Sequence, residues 1–140
     1  MNKLHDYLRD NDPDILVRLE LEGGVTTWTG DRVASVEPLI AELQVAGTPL
    51  YLIEETCLQE MTKDLRPSRF GYVANVFSTE FEDTYYRFRE TGVLTYEIIN
   101  ILETCQPVFE QFPLTEENED NRLLYYAVTG SIRVYLDNQQ

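Results

Sequence analysis

The strongest pattern in this sequence is a stripe of large apolar side chains between residues 70 and 88, with one member every three or four positions. Its members are Phe70, Val73, Phe77, Phe81, Tyr85 and Phe88. This spacing puts them on one face of an α-helix of about five turns, and such a face has to be covered by other elements. We therefore predict one long helix from Phe70 to Phe88, closed by Gly92, with the rest of the chain packed around it.

Shorter segments before and after this stripe repeat the same spacing, and Gly or Pro separates them. Ser35 is predicted to cap a helix that ends at Gly47, and Pro107 is predicted to stop a later helix. The last helix is expected to continue through Gly130, where another helix would cross close to the backbone. The sequence thus predicts a mainly all-α fold: a single multihelical globular domain over residues 1–140, with five or six helices.

Residues 15–28 fit two different structures. Apolar and mostly charged residues alternate up to Gly23-Gly24, and a β-favouring Val-Thr-Thr-Trp-Thr run follows. Alternation around a Gly-Gly turn is typical of a β-hairpin. Leu16 and Leu19, which follow Pro13, fit the apolar stripe of a helix equally well. The sequence therefore predicts either a small hairpin or a helix for this segment, and does not decide between them.

Charge decides which classes of partner suit this chain. Twenty-five Asp and Glu residues face eleven Lys and Arg residues, which gives a formal net charge of −14. Hydrophobic residues make up 43% of the chain, so we expect a folded protein rather than a disordered acidic one. Binding to nucleic acid or to an anionic membrane needs clusters of Lys and Arg, whereas a negative surface favours encounter with a basic one. The sequence therefore predicts a basic protein partner and no direct contact with nucleic acid or membrane; a homodimer stays open.

Cellular location is predicted from the first residues and from the two cysteines. The first ten residues carry charges where a secretory signal is apolar, and no apolar run approaches the ~18 residues of a membrane span. Cys57 and Cys105 each occupy an apolar position of a predicted helix. We therefore expect a cytoplasmic protein with two buried, reduced thiols.

No motif in the sequence indicates a reaction centre. His5 is the single histidine, and Cys57 has three glutamates within three positions, which oppose formation of a thiolate. The acidic run 116–120 lacks the alternating ligands and central Gly of a calcium loop, and we assign it to the start of a helix. The glycines form no phosphate-binding loop. We predict no catalytic residue, no metal site and no cofactor.

One enzymatic alternative stays open. Carboxylates on predicted helices can hold a divalent cation when the helices bring them together. The residues concerned are Glu54, Glu55, Glu80 and Asp83. This hypothesis of a metal-dependent enzyme predicts that carboxylates from different helices converge in one concave pocket.

Carboxylates beside outward-facing tyrosines indicate the surface that we expect to meet a partner. Tyr is enriched in protein interfaces, and surface charge steers the encounter. The candidate interaction patch consists of Glu80, Asp83, Tyr86, Glu116, Glu117, Glu119, Asp120 and Tyr125. The leading hypothesis is a non-enzymatic interaction protein that binds a basic partner. In its sharper form, the carboxylates mimic the phosphates of DNA.

Several segments resemble a known group of small proteins. They are Leu65-Arg66-Pro67-Ser68-Arg69-Phe70, Glu80-Phe81-Glu82, Gly92-Val93-Leu94-Thr95-Tyr96-Glu97, Pro107-Val108-Phe109 and Tyr126-Ala127-Val128-Thr129-Gly130-Ser131-Ile132. Together they resemble a Bacteroidetes family of small hypothetical proteins, a domain of unknown function that is often found with conjugative elements. The resemblance implies a multihelical fold and a role as an accessory protein of a mobile element. It implies no catalytic residue.

Overall fold

The computed structural model describes residues 2–139, and these residues form nine α-helices, one 3₁₀-helix and no strand. The α-helices are α1 (Asn2–Asn11), α2 (Pro13–Glu22), α3 (Val25–Ser35), α4 (Glu37–Val45), α5 (Leu50–Met61), α6 (Arg69–Glu80), α7 (Glu82–Glu90), α8 (Leu94–Gln111) and α9 (Arg122–Asp137), and the 3₁₀-helix is Lys63–Leu65. The prediction of an all-α fold is confirmed. The expected count of five or six helices is too low. The predicted helix from Phe70 to Phe88 is two helices, α6 and α7, and residues 15–22 and 25–28 fall in two further helices, α2 and α3.

Residues 15–22 and 25–28 belong to two helices, so the hairpin alternative is wrong. Pro13 begins α2, and Leu16 and Leu19 are buried on one face of it. Gly23 takes a left-handed conformation with φ of 70°, and its N–H donates to the Glu20 carbonyl. This arrangement ends a helix and is one that glycine adopts without strain. The Gly-Gly pair therefore separates two helices, and Val25 begins the second of them.

The predicted long helix bends at Phe81 into α6 and α7. Phe81 has φ of −134° and ψ of 51°, which interrupts the helical backbone. The bend lets the rings of α7 close around the fully buried Phe77, whose centroid lies 5.9 Å from Tyr85 and 5.8 Å from Phe88. Glu82 and Asp83 then occupy the first turn of α7, where their negative charges interact favourably with the positive end of the helix dipole. Periodicity continues across the bend, so it could not reveal the break.

Other predicted helix ends have mixed outcomes. Pro107 lies inside α8, although a proline costs one intrahelical hydrogen bond, and the buried Phe109 follows it. Ser35 is the last residue of α3, and its hydroxyl donates to the Arg32 carbonyl instead of capping a new helix. Gly47 follows the end of α4 with φ of 77°, as predicted. Gly130 does lie within α9, but a Cβ there would meet no atom of another element within 4 Å, so no described helix crosses it closely.

Contacts within the chain divide it into two compact units, the first ending at Arg66 and the second beginning at Pro67. The first unit contains α1 to α5. One of its apolar clusters joins Leu8 of α1 to Leu16 and Leu19 of α2, and another joins Val36 to Ile53 and Cys57 of α5. The expectation of one domain over the whole chain stays a prediction.

The second unit is built on α6, α8 and α9, whose inner faces form one apolar core. The buried residues of this core are Val73, Val76, Phe77, Ile98, Ile101, Leu102, Cys105, Phe109, Leu124, Val128 and Ile132. Cys105 is a free thiol, and burial raises its pKa to about 12. Cys57 in the first unit is also free and buried. Both thiols are therefore buried, as predicted, and that they are reduced in the cell stays a prediction.

Candidate functional site

An ordered acidic loop connects α8 to α9 in the second unit. Asn118 organises it: its side-chain oxygen accepts hydrogen bonds from the N–H and the hydroxyl of Thr115, at 2.6 Å and 2.9 Å, and its amide nitrogen donates to the Pro113 carbonyl. Asn121 then caps α9, because its side-chain oxygen accepts from the N–H groups of Leu123 and Leu124. The four carboxylates carried by this loop are exposed: Glu116, Glu117, Glu119 and Asp120. The sequence placed the acidic run at the start of a helix; in the structure the run is a turn that precedes the capped helix α9, and the first turn of α9 carries no carboxylate.

The loop forms one wall of a cleft of about 450 Å³, which we call the tyrosine cleft. Residues from α6, from the loop and from the first turns of α9 line it, and those that matter for its chemistry are Tyr72, Glu119, Asp120, Arg122, Tyr125 and Tyr126. It thus combines aromatic rings with carboxylates in a single concavity.

Two of the three tyrosines are held in place by contacts outside the cleft. The Tyr125 hydroxyl donates to the Glu80 carboxylate at 2.8 Å, and partial burial together with this carboxylate raises the pKa of Tyr125. Tyr72 packs edge-on against Phe109, with 6.2 Å between ring centroids and 77° between the rings. Tyr126 is 61% exposed, and its ring forms a T-shaped pair with the Tyr125 ring, with 6.4 Å between the ring centroids. The cleft therefore has a fixed aromatic side and one ring open to solvent.

The hydroxyl oxygen of Tyr72 is buried and has no hydrogen-bond partner among the residues that the structure describes. Burial raises the pKa of this phenol, and interactions with Tyr125 and Asp120 raise it further. A buried polar atom without a partner is costly, so such an atom at a cleft is a candidate contact for a ligand.

The structure brings together part of the predicted patch. Glu119, Asp120 and Tyr125 line the cleft, and Glu80 supports it through its bond to Tyr125. Glu116 and Glu117 lie on the same loop. Asp83 and Tyr86 belong to α7 and are not part of the cleft; Tyr86 is 47% exposed and stacks edge-on against its neighbour Tyr85.

Neither Tyr72 nor Tyr126 belongs to the patch that we predicted from the sequence. Tyr72 lies outside the apolar stripe of its helix, so its position gave no signal of burial. Tyr125 and Tyr126 are adjacent and differ only in the face of α9 that they occupy. The structure assigns the more exposed position to Tyr126.

Ion pairs are distributed very unevenly between the two units. The pairs found among the described residues are Lys3–Glu54, Arg9–Asp6, Arg9–Asp10, Arg32–Asp64 and Lys63–Glu60, all in the first unit. In the second unit, twelve Asp and Glu residues face five Arg residues. Within residues 67–139 no carboxylate lies within 4 Å of a Lys or Arg nitrogen. The carboxylates described in the second unit therefore form no ion pairs with its arginines.

The residues of the metal hypothesis have ordinary surroundings. Glu54 pairs with Lys3, Glu80 accepts from Tyr125, and Asp83 lies in the first turn of α7. Across the described residues, no three or more His, Cys, Asp or Glu side chains are grouped so as to hold a metal ion. None of the helices described reaches the length and apolar character needed to cross a membrane.

Comparison of this chain with models of protein families, with curated proteins and with solved structures finds no significant match. The resemblance to the Bacteroidetes family therefore stays a prediction.

Proposed function

We propose that this protein is a non-enzymatic interaction protein whose second unit binds a basic surface on a protein partner. The observation that carries the proposal is the lack of ion pairs within residues 67–139, where carboxylates outnumber arginines by twelve to five. Carboxylates that form no ion pair within these residues are available to basic groups of a partner. The first unit, in contrast, pairs several of its carboxylates internally.

The acidic loop suits such a role because its backbone is fixed. Hydrogen bonds of Asn118 and Asn121 hold both ends of the loop, so the backbone that carries the carboxylates has little freedom to lose on binding. Complementary charge raises the rate of encounter and orients the partner, and exposed tyrosines add contact area. The loop and the neighbouring Tyr126 together supply both contributions.

In its specific form, the proposal is that this protein mimics DNA and acts as an accessory protein of a mobile element. In that form the partner is itself a nucleic-acid-binding protein, and the carboxylates of the loop occupy the sites of phosphates. Duplex DNA would then displace this protein from its partner. A partner that binds both at once would restrict the proposal to its general form.

The test is neutralisation of the loop in the full-length protein. A variant with Glu116→Gln, Glu117→Gln, Glu119→Gln and Asp120→Asn keeps the shape of the side chains and removes four charges. We expect it to bind a partner captured at low salt from the native host at least about tenfold more weakly, as measured by calorimetry.

The matched control removes four exposed carboxylates of the same unit that lie outside the loop. Its substitutions are Glu90→Gln, Glu103→Gln, Glu110→Gln and Asp137→Asn. It has the same net charge as the loop variant, and we expect it to retain most of the affinity. Equal losses in the two variants would show that only the total charge matters, and unchanged affinity in the loop variant would refute the proposal.

A further inference from the structure

The tyrosine cleft offers three kinds of group to one ligand. Glu119 and Asp120 supply negative charge, Tyr125 and Tyr126 supply aromatic rings, and Tyr72 supplies a buried phenol oxygen. A charged loop alone would attract any cation. The rings and the oxygen add shape and hydrogen-bonding requirements that few cations meet.

The two carboxylates of the cleft keep their charge available. Arg122 lines the same cleft, yet no ion pair joins it to a carboxylate among the described residues. The surplus of acids in the second unit disfavours an anionic ligand at this position. The ligand is therefore expected to carry positive charge.

A guanidinium group matches this set of groups better than an ammonium group does. It is planar, so it stacks on aromatic rings, and its fork of N–H donors pairs with carboxylates in a bidentate manner. A further N–H is left for a phenol oxygen such as that of Tyr72. The lysine ammonium is compact and more strongly hydrated, so it gains less from rings and loses more on entering a cleft.

We propose that the tyrosine cleft binds the guanidinium group of an arginine side chain presented by the protein partner. Asp120 and Glu119 pair with this group, and Tyr126 stacks on it. The Tyr72 oxygen accepts a hydrogen bond from it. This inference rests on the proposed function and names the residue of the partner that the second unit recognises. The support that Glu80 gives to Tyr125 and Phe109 gives to Tyr72 keeps the rings in place before binding. Such preorganisation lowers the entropic cost of taking up the side chain.

The experiment uses the full-length protein and a capped Gly-Gly-Arg-Gly-Gly peptide, followed by amide chemical shifts in NMR. Two further peptides carry lysine or the neutral isostere citrulline in place of the arginine. We expect the arginine peptide to shift the amides around the cleft and to bind about threefold or more tightly than the lysine peptide. The citrulline peptide is expected to cause no shift there. Shifts spread over the whole acidic surface, or equal binding of arginine and lysine, would overturn the proposal.

A single-atom variant makes the test specific. Tyr72→Phe removes the buried oxygen and keeps the ring that packs against Phe109, so the fold is retained. We expect it to bind the arginine peptide about threefold to tenfold more weakly, the range for one hydrogen bond. Tyr96→Phe is the control, since Tyr96 is 66% exposed on α8 and lies outside the cleft. Equal affinity of the Tyr72→Phe variant and the wild type would overturn the role of this oxygen.

The outcomes separate this inference from the proposed function. If the loop variant loses the partner while the arginine peptide fails to reach the cleft, the proposed function stands and the arginine site is wrong. If the loop variant keeps the partner, the proposed function falls, whichever way the peptide binds.

Discussion

Replacement of Phe77 by alanine is expected to lower the free energy of unfolding of the second unit by about 3–5 kcal/mol, the usual cost of deleting a buried aromatic ring. Phe77 is fully buried, and its ring lies within 6.1 Å, centroid to centroid, of three other rings. These rings belong to Phe81, Tyr85 and Phe88, so Phe77 is what holds the bend between α6 and α7 together. Deleting it leaves a cavity that the bent helices cannot close.

Urea denaturation followed by far-UV circular dichroism measures this loss. Tyr96→Ala is the matched control, because it truncates an aromatic ring that is 66% exposed on α8. We expect the control to change stability by no more than about 0.5 kcal/mol. A Phe77→Ala variant as stable as that control would contradict the description of the core.

Replacement of Arg32 by alanine is expected to destabilise the first unit by about 2 kcal/mol. The Arg32 guanidinium donates to the Met61 carbonyl at 2.8 Å and to both carboxylate oxygens of Asp64. Its Cζ atom also lies over the Trp28 ring, 4.3 Å from the ring centroid. The Met61 carbonyl belongs to the end of α5, where the helix itself supplies no donor. Arg32 therefore ties α3 to the C-terminal end of α5.

Trp28 is the single tryptophan of the chain, so its fluorescence reports this loss during denaturation. Arg18→Ala, at an exposed position of α2, is the control and should leave stability within about 0.5 kcal/mol of the wild type. We expect Arg32→Lys to restore less than half of the loss, because an ammonium cannot form the paired bonds or stack as a guanidinium does. Full restoration by lysine would show that charge alone matters.

Acid should remove part of the contribution of Arg32. Hydrogen bonding to Arg32 holds the pKa of Asp64 below its usual value, so the unfolded chain binds this proton more readily than the folded one. The stability that the pair supplies is thus present above the unfolded pKa of about 4 and is lost as pH falls through the lower folded value. The difference between Arg32→Ala and the wild type is therefore expected to shrink below about pH 4.

The fold class could be predicted from sequence because helical periodicity reports burial directly. It placed Phe77 and Val73 on an inner face, and both are fully buried. Periodicity did not locate the bend at Phe81, since the apolar spacing continues across it. Pro107 caused the opposite error, because the sequence predicts a helix end at a position where α8 continues. The local cost of proline within α8 is outweighed by burial of Phe109 beyond it.

The candidate site was predictable only where its residues are adjacent in sequence. The acidic loop and Tyr125 stand within ten residues of one another, and their charge and capping pattern are visible in the chain. Tyr72 comes from α6, and only the packing of α6 against α9 brings it to the cleft. The contacts of Arg32 with Met61 and Asp64 were hidden for the same reason, because about thirty residues separate them.

The central claim is that unneutralised carboxylates of the second unit bind a basic partner, and the ionic-strength dependence of that binding tests it most directly. The dissociation constant for the captured partner is measured over a series of salt concentrations for the wild type, the loop variant and the matched control. We predict a steep loss of affinity with salt for the wild type and the control, and a clearly shallower one for the loop variant. A dissociation constant that does not change with salt, or the same slope in all three proteins, would contradict the account.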